Sequence, residues 1–221
     1  MVEHNDLGGR IAGIVLAGGQ ARRLGGDKAL RLLGGKSLLE HAISLARPQV
    51  ATLALSANGD PGPLRPFGLP ILPDPVPGFV GPLAGILAGM DWAAAAGIAW
   101  LASFPCDAPF FPPDFVARLA AARERDGADI ACARSGGRTH PVFALWPVRL
   151  RDELRGALRD EGMRKVDGWS ARYRIATVAF DAVPFDPFFN INTPEDLAKA
   201  ETLLAMRPSA DNGGAGSSGR A

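Results

Sequence analysis

Cysteine, histidine, net charge and long apolar runs are all scarce in this chain, and each scarcity removes a class of function. The two cysteines among 221 residues, Cys106 and Cys132, are too few for a disulfide scaffold or a four-ligand zinc site, and no histidine-rich tract supplies the missing ligands. A reducing, cytoplasmic setting is therefore expected. The 24 basic residues are balanced by 23 acidic ones, leaving a formal charge of +1. Such a chain has no electrostatic footprint for nonspecific nucleic-acid binding. The uncharged stretch Trp92 to Cys106 is shorter than the roughly 20 residues needed to cross a bilayer and is interrupted by Gly97 and Pro105. Met1 to Arg10 is polar and acidic and lacks the basic-then-apolar order of a signal peptide. Neither nucleic acid nor a membrane is an expected partner.

What is present suits one α/β domain, because 221 residues with 47% hydrophobic content can bury a core without covalent staples. Apolar runs, β-branched at Ile11 to Ala17, predict strands there and at Ala51 to Ser56, Leu69 to Leu72, Ile98 to Phe104, Asp129 to Ala133 and Pro141 to Trp146, and alternation predicts one at Tyr173 to Phe180. Helical patterns fall at Ser37 to Ala46, Leu83 to Ala96, Pro113 to Arg125, Val148 to Arg159 and from Thr193 to about Met206, with Thr193 as N-cap and Pro194 at the first helical position. Strands alternating with helices imply a mostly parallel sheet with helices on both faces. The expected organisation is a loose N-terminus over residues 1–10, one domain over 11–207 and a disordered Gly/Ser-rich tail over 208–221. A GxGxxG match inside that tail has no strand before it and no helix after it, so it is not a dinucleotide fingerprint.

Five segments carry polar chemistry. Leu16-Ala17-Gly18-Gly19-Gln20-Ala21-Arg22-Arg23-Leu24-Gly25-Gly26-Asp27-Lys28 follows the first strand, where open α/β sheets place ligands. Its glycines let backbone N–H groups approach an anion, and Arg22, Arg23 and Lys28 add three positive charges suited to a triphosphate. It is not a P-loop: the only Gly-Lys-Ser, at Gly35-Lys36-Ser37, has Leu30 where the first glycine belongs. Asp107, in Phe104-Pro105-Cys106-Asp107-Ala108-Pro109, ends an apolar strand with a hard oxygen donor suited to Mg²⁺ and phosphate, or else caps a turn. Asn190 and Asn192 flank Ile191 on one face of an alternating stretch, able to ligate a metal, bond a phosphate or satisfy a turn. Asp74 and the small-residue turn Gly81 to Gly85 precede a helix, and His140 is a lone histidine ahead of a strand. Cys106 has no base that the sequence can assign to it and reads as packing.

The ordered set LAGGQARRLGGDK, PDP, GPLAG, PCDAP, RTHP and NINTPEDL, spanning Ile11 to Met206, resembles the molybdenum cofactor guanylyltransferases. The resemblance implies a single Rossmann-like nucleotide-diphospho transferase domain with one antiparallel strand. The implied reaction is Mg²⁺-dependent transfer of GMP from GTP to molybdenum-molybdopterin, with release of pyrophosphate and no covalent enzyme intermediate. Leu16, Ala17, Gly18 and Gly19 would hold the nucleotide, Lys28, Arg22 and Arg23 its phosphates, Asp74 its nucleoside, and Asp107 with Asn192 the metal. Where the family often has an asparagine at the end of the second strand, this chain has Ser56 and, two residues on, Asn58; either would contact the nucleotide. Arg138, His140 and Asn190 would face the acceptor. A molybdenum-insertion protein and the recipient molybdoenzymes are the implied macromolecular partners. Competing readings are a cytidylyltransferase of the same pathway, a sugar-phosphate nucleotidyltransferase, and a nucleotide-binding module without turnover.

Overall fold

The computed structural model describes residues 11–18, 28–78 and 81–206. The expected loose N-terminus, the Gly/Ser-rich tail and three of the proposed phosphate-loop residues, Gly19, Arg22 and Arg23, lie outside the described residues.

The elements run β1 (Ile11–Leu16), a small hairpin of β2 (Leu32–Leu33) and β3 (Lys36–Ser37), α1 (Leu38–Ala46), β4 (Thr52–Ser56), β5 (Ile71–Leu72), α2 (Pro82–Ala95) and β6 (Trp100–Pro105). They continue with α3 (Phe115–Asp126), β7 (Ile130–Ser135), β8 (Arg138–Pro147), α4 (Arg151–Arg159), α5 (Val166–Ser170), β9 (Ile175–Ala179) and α6 (Pro194–Ala205). Seven strands form one sheet in the order β5-β4-β1-β6-β8-β7-β9. Only β8 runs antiparallel to its neighbours, pairing so with both β6 and β7.

Strand alternation sorts the core into two layers. Ile11 and Val15 of β1 join α1 and α3 in one cluster, where Phe104, Phe111, Phe115, Phe143, Phe180 and Phe188 pack ring against ring. Ala12 and Ile14 face the other way, against α2, α4 and α5. The second layer approaches closely because α2 presents glycines one turn apart. A Cβ on Gly85 would stand 2.4 Å from Ser56 Oγ and 2.8 Å from Leu16 Cδ2, and one on Gly89 would stand 2.8 Å from Leu101 Cδ2.

The expected elements are present with shifted ends. The β8 strand starts at Arg138 rather than Pro141, so His140 is a strand residue. The Gly-Lys-Ser segment is a hairpin, with Gly34 and Gly35 turning at φ 57° and 80° and Ser37 capping α1 in a reciprocal box with Glu40. The segment holding Asn190 and Asn192 is irregular rather than a strand, yet its alternation survives: Ile191 is buried between two exposed asparagines. The α5 turn has no counterpart in the sequence-based elements.

Candidate active site

The connections leaving β1 set the location. From β1 the chain passes through α1 to β4 on one side, then through β5 and α2 to β6 on the other, so the crevice outside β1 and β6 is a topological switch point. Leu16 pairs with Ser56 on one side and Pro105 on the other, and Ser56 with Leu72, so four strands end level. Their successors Ala17 and Gly18, Asn58, Asp74 and Asp107 therefore share one edge. Backbone bonds tie the edge together: Ala17 N–H donates to Ser56 O at 2.9 Å and Ala57 N–H to Leu72 O at 3.1 Å.

Three segments far apart in sequence converge there. The Lys28 ammonium donates to Asp107 Oδ2 and to Asn192 Oδ1, each at 2.6 Å. Its side chain is 13% exposed, so the charge is enclosed by its partners rather than by water. Asp107 is placed by β6, and its carbonyl accepts from Ile191 N–H at 2.8 Å, which docks the asparagine segment beside it. Asn192 is held by the start of α6. Its N–H and that of Thr193 donate to Asp196 Oδ2 at 2.9 and 3.0 Å, while Thr193 Oγ1 accepts from Asp196 N–H at 3.2 Å. Below, Leu33, Leu38, Phe110, Ile191, Ala200 and Leu203 form a third buried cluster that joins the hairpin to α6.

A second pair forms the opposite end of the crevice. Asn58 Nδ2 donates to Asp74 Oδ2 at 2.8 Å, and Asp74 N–H donates back to Asn58 Oδ1 at 2.9 Å. Burial raises the Asp74 carboxyl above its usual value, partly opposed by the Asn58 bond. Ser56 is only 4% exposed and lies beneath Gly85 of α2, so of the two residues Asn58 is the one at the surface.

The crevice continues over β6 toward β8. His140 is joined to this end of the site by the segment that carries the asparagines: Phe188 packs on the His140 ring with centroids 4.8 Å apart, and Ile191 N–H three residues on donates to Asp107 O at 2.8 Å. Arg138 stands opposite Ser135 at the hairpin end and is exposed. Ser135 and Asp186, neither singled out by sequence reasoning, reach His140. Ser135 Oγ lies 2.7 Å from His140 Nε2 and donates to Asp186 Oδ1 at 2.6 Å. The segment around Asp186 has no hydrophobic period, so no signal in one sequence pairs it with Ser135. Asn190 is exposed between this network and Asn192. Cys106 is buried at the strand end.

The donor set suits a divalent cation of the hard class. A carboxylate and an amide oxygen both contact one ammonium nitrogen, so they already converge on a single cationic point. Among the described residues no group of three His, Cys, Asp or Glu side chains stands ready for a metal. Asp107 and Asn192 would supply two oxygen ligands, and hard divalent ions of this class accept phosphate oxygens and water for the rest of the shell. No helix of the described residues is long and apolar enough to cross a membrane.

Comparison with known proteins bears on family and fold. The family model of the MobA-like NTP transferase domain matches residues 13–174. A molybdenum cofactor guanylyltransferase from a Bradyrhizobium species is 55% identical over 199 residues, covering 89% of this chain and 94% of the relative. Among solved structures, the molybdopterin-guanine dinucleotide biosynthesis protein A of Archaeoglobus fulgidus aligns with a TM-score of 0.69 at 26% identity, over 88% of this chain and 98% of that one. A Mycobacterium tuberculosis protein in complex with manganese shares the fold, with a TM-score of 0.63 at 18% identity over 87% of this chain and 98% of that one.

Proposed function

The chain belongs to the MobA-like NTP transferase domain family, and from that premise we propose that it is a molybdenum cofactor guanylyltransferase. It transfers GMP from GTP to molybdenum-molybdopterin. An oxygen of the terminal phosphate of molybdopterin attacks the α-phosphorus of GTP, the bond to the bridging oxygen breaks, and pyrophosphate leaves with that electron pair. The observation that carries the reading is the meeting of Lys28, Asp107 and Asn192 at the switch point, a cation for phosphate beside two hard oxygen donors for a metal.

Roles follow from position. Leu16, Ala17, Gly18 and Gly19 hold the nucleotide by backbone contacts, while Lys28, Arg22 and Arg23 neutralise the triphosphate. Asp74, steadied by Asn58, takes the nucleoside; Ser56 supports the strand end beneath them. Asp107 and Asn192 would hold Mg²⁺, which when bound supplies charge neutralisation on the phosphates. The manganese held by the Mycobacterium tuberculosis neighbour supports a divalent ion of this class. Arg138, His140 and Asn190 face the acceptor. The domain spans residues 11–207 and works in the cytoplasm, passing its product to a molybdenum-insertion protein and recipient molybdoenzymes.

The test is pyrophosphate release from GTP, CTP, ATP and UTP in turn, with Mg²⁺ and molybdenum-loaded molybdopterin, the product being identified by mass spectrometry. A guanine dinucleotide from GTP alone is expected. A preference for CTP would reassign the chain to cytidylyl transfer, and no product from any nucleotide would refute the reading.

A further inference from the structure

Ser135, His140 and Asp186 contain the residue types of a nucleophilic triad, but they are wired differently. In a triad the imidazole lies between hydroxyl and carboxylate. Here the hydroxyl lies in the middle, 2.7 Å from His140 Nε2 and 2.6 Å from Asp186 Oδ1. Ser135 is 3% exposed. It serves no nucleophilic role in this arrangement, and its single proton settles the direction of the chain of bonds.

A carboxylate only accepts, so the Ser135 hydroxyl spends its proton on Asp186 and can only accept from the imidazole. His140 must then carry a proton on Nε2, and in the neutral ring this leaves Nδ1 as an acceptor. Asp186 is itself fixed, because the same Oδ1 accepts from Phe188 N–H at 2.9 Å. Phe188 in turn packs on the His140 ring, with centroids 4.8 Å apart. The imidazole is therefore held at its edge by a hydroxyl and on its face by a ring.

We propose that Asp186, acting through Ser135, positions His140 as a neutral imidazole whose Nδ1 accepts a hydrogen bond from an N–H of the acceptor's heteroaromatic pterin ring rather than meeting its phosphate. This rests on the guanylyltransferase reading above, which makes the acceptor a pterin rich in N–H donors. The location fits, since β8 lies on the side of β6 away from Asn58 and Asp74, and the segment whose Phe188 packs on His140 also donates Ile191 N–H to Asp107 O. Burial lowers the basicity of His140, Arg138 acts in the same direction, and Asp186 opposes them. A neutral ring suits a donor and is a poor partner for a phosphate. Ser135 and Asp186 are positioning residues; neither needs to touch substrate.

Two measurements test this. In the ligand-free protein, ¹⁵N shifts of the His140 ring, assigned by their loss in His140→Gln, should show Nε2 protonated and Nδ1 bare. Asp186→Asn should mix or invert that pattern, because an amide can donate to Ser135 and free the hydroxyl to donate to the ring. In steady-state kinetics, Asp186→Asn and Ser135→Ala should each raise the KM for the acceptor by about tenfold with the KM for GTP unchanged, and Ser135→Thr, which keeps the hydroxyl, should restore it. A wild-type ring protonated on Nδ1 overturns the proposal even if the variants do not fold, as does an equal rise in both KM values. The spectrum is read without substrate, so failure of the guanylyltransferase reading would appear separately, as absence of the dinucleotide product.

Discussion

The two ends of the crevice are built on opposite plans. Asn58 and Asp74 are 16 residues apart and hold each other by two reciprocal bonds across adjacent parallel strand ends. Lys28 reaches partners 79 and 164 residues away, and each arrives on a different element. The nucleoside end is thus locally self-positioned, whereas the phosphate centre exists only when β6, the hairpin and α6 are all in place. Distant assembly has a use: a centre drawn from three segments brings a cation, a carboxylate and an amide to one point.

The contrast is broken most severely at Asp107. Asp107→Ala removes the carboxylate from the phosphate centre and leaves Lys28 with Asn192 alone, so pyrophosphate release should fall by about a thousandfold. The circular dichroism spectrum should remain that of the wild type, since Asp107 is partly exposed and its backbone contact to Ile191 does not need the side chain. A variant that turns over at the wild-type rate would remove Asp107 from the mechanism.

Gly85→Ala attacks the floor beneath the nucleoside end instead. The new Cβ would meet Ser56 Oγ at 2.4 Å and Leu16 Cδ2 at 2.8 Å, so β1, β4 and α2 must separate. Urea denaturation should show a loss of about 1–3 kcal/mol, and adding Ser56→Ala should recover part of it. An unchanged midpoint would mean that α2 does not seat so tightly.

Asn58→Ala sharpens the comparison at the level of charge. Asp74 already titrates high because it is buried, and the Asn58 bond is what holds its carboxyl down. Without Asn58 the carboxyl should rise further, moving the acid limb of kcat/KM for GTP to higher pH and raising the KM by about tenfold at neutral pH. The sign for stability is the reverse of a salt-bridged aspartate: a pKa raised in the folded state binds protons preferentially there, so the contribution of Asp74 falls as pH climbs from the usual carboxylate range through the raised value. A pH profile indistinguishable from wild type would separate Asn58 from Asp74.

The same division explains what one sequence discloses. The parallel half was legible because strands such as Ile11–Leu16 and Trp100–Pro105 announce themselves by apolar runs, and a ligand edge follows from their order. Lys28, Asp107 and Asn192 were each visible as polar groups after apolar segments, although only the fold shows that they touch. Ser135 and Asp186 were not visible, since a serine before Gly136-Gly137 reads as turn chemistry and the stretch from Val183 to Phe189 has no period. The hairpin at Leu32 to Ser37 was missed for a related reason: two-residue strands carry too little pattern, and Gly34 is set by Leu204 of α6, whose Cδ2 would stand 2.4 Å from a Cβ there. Contacts of that range leave no local trace.

The smallest expected effect lies at the cap of α6, where the two plans meet. Thr193 Oγ1 accepts from Asp196 N–H, and Asp196 in turn receives the N–H groups of Asn192 and Thr193. Removing the hydroxyl in Thr193→Ala should cost about 1 kcal/mol by thermal or urea unfolding, as loss of an N-cap does elsewhere. If the phosphate centre depends on remote elements as described, that modest loss should also appear in kcat through a less well-held Asn192, while the KM for GTP, set by the self-bonded Asn58 and Asp74, stays unchanged. Thr193→Ser keeps the capping oxygen and should behave as the wild type in both respects. A change in the KM for GTP with kcat intact would show that the two ends are coupled through the sheet and not assembled independently.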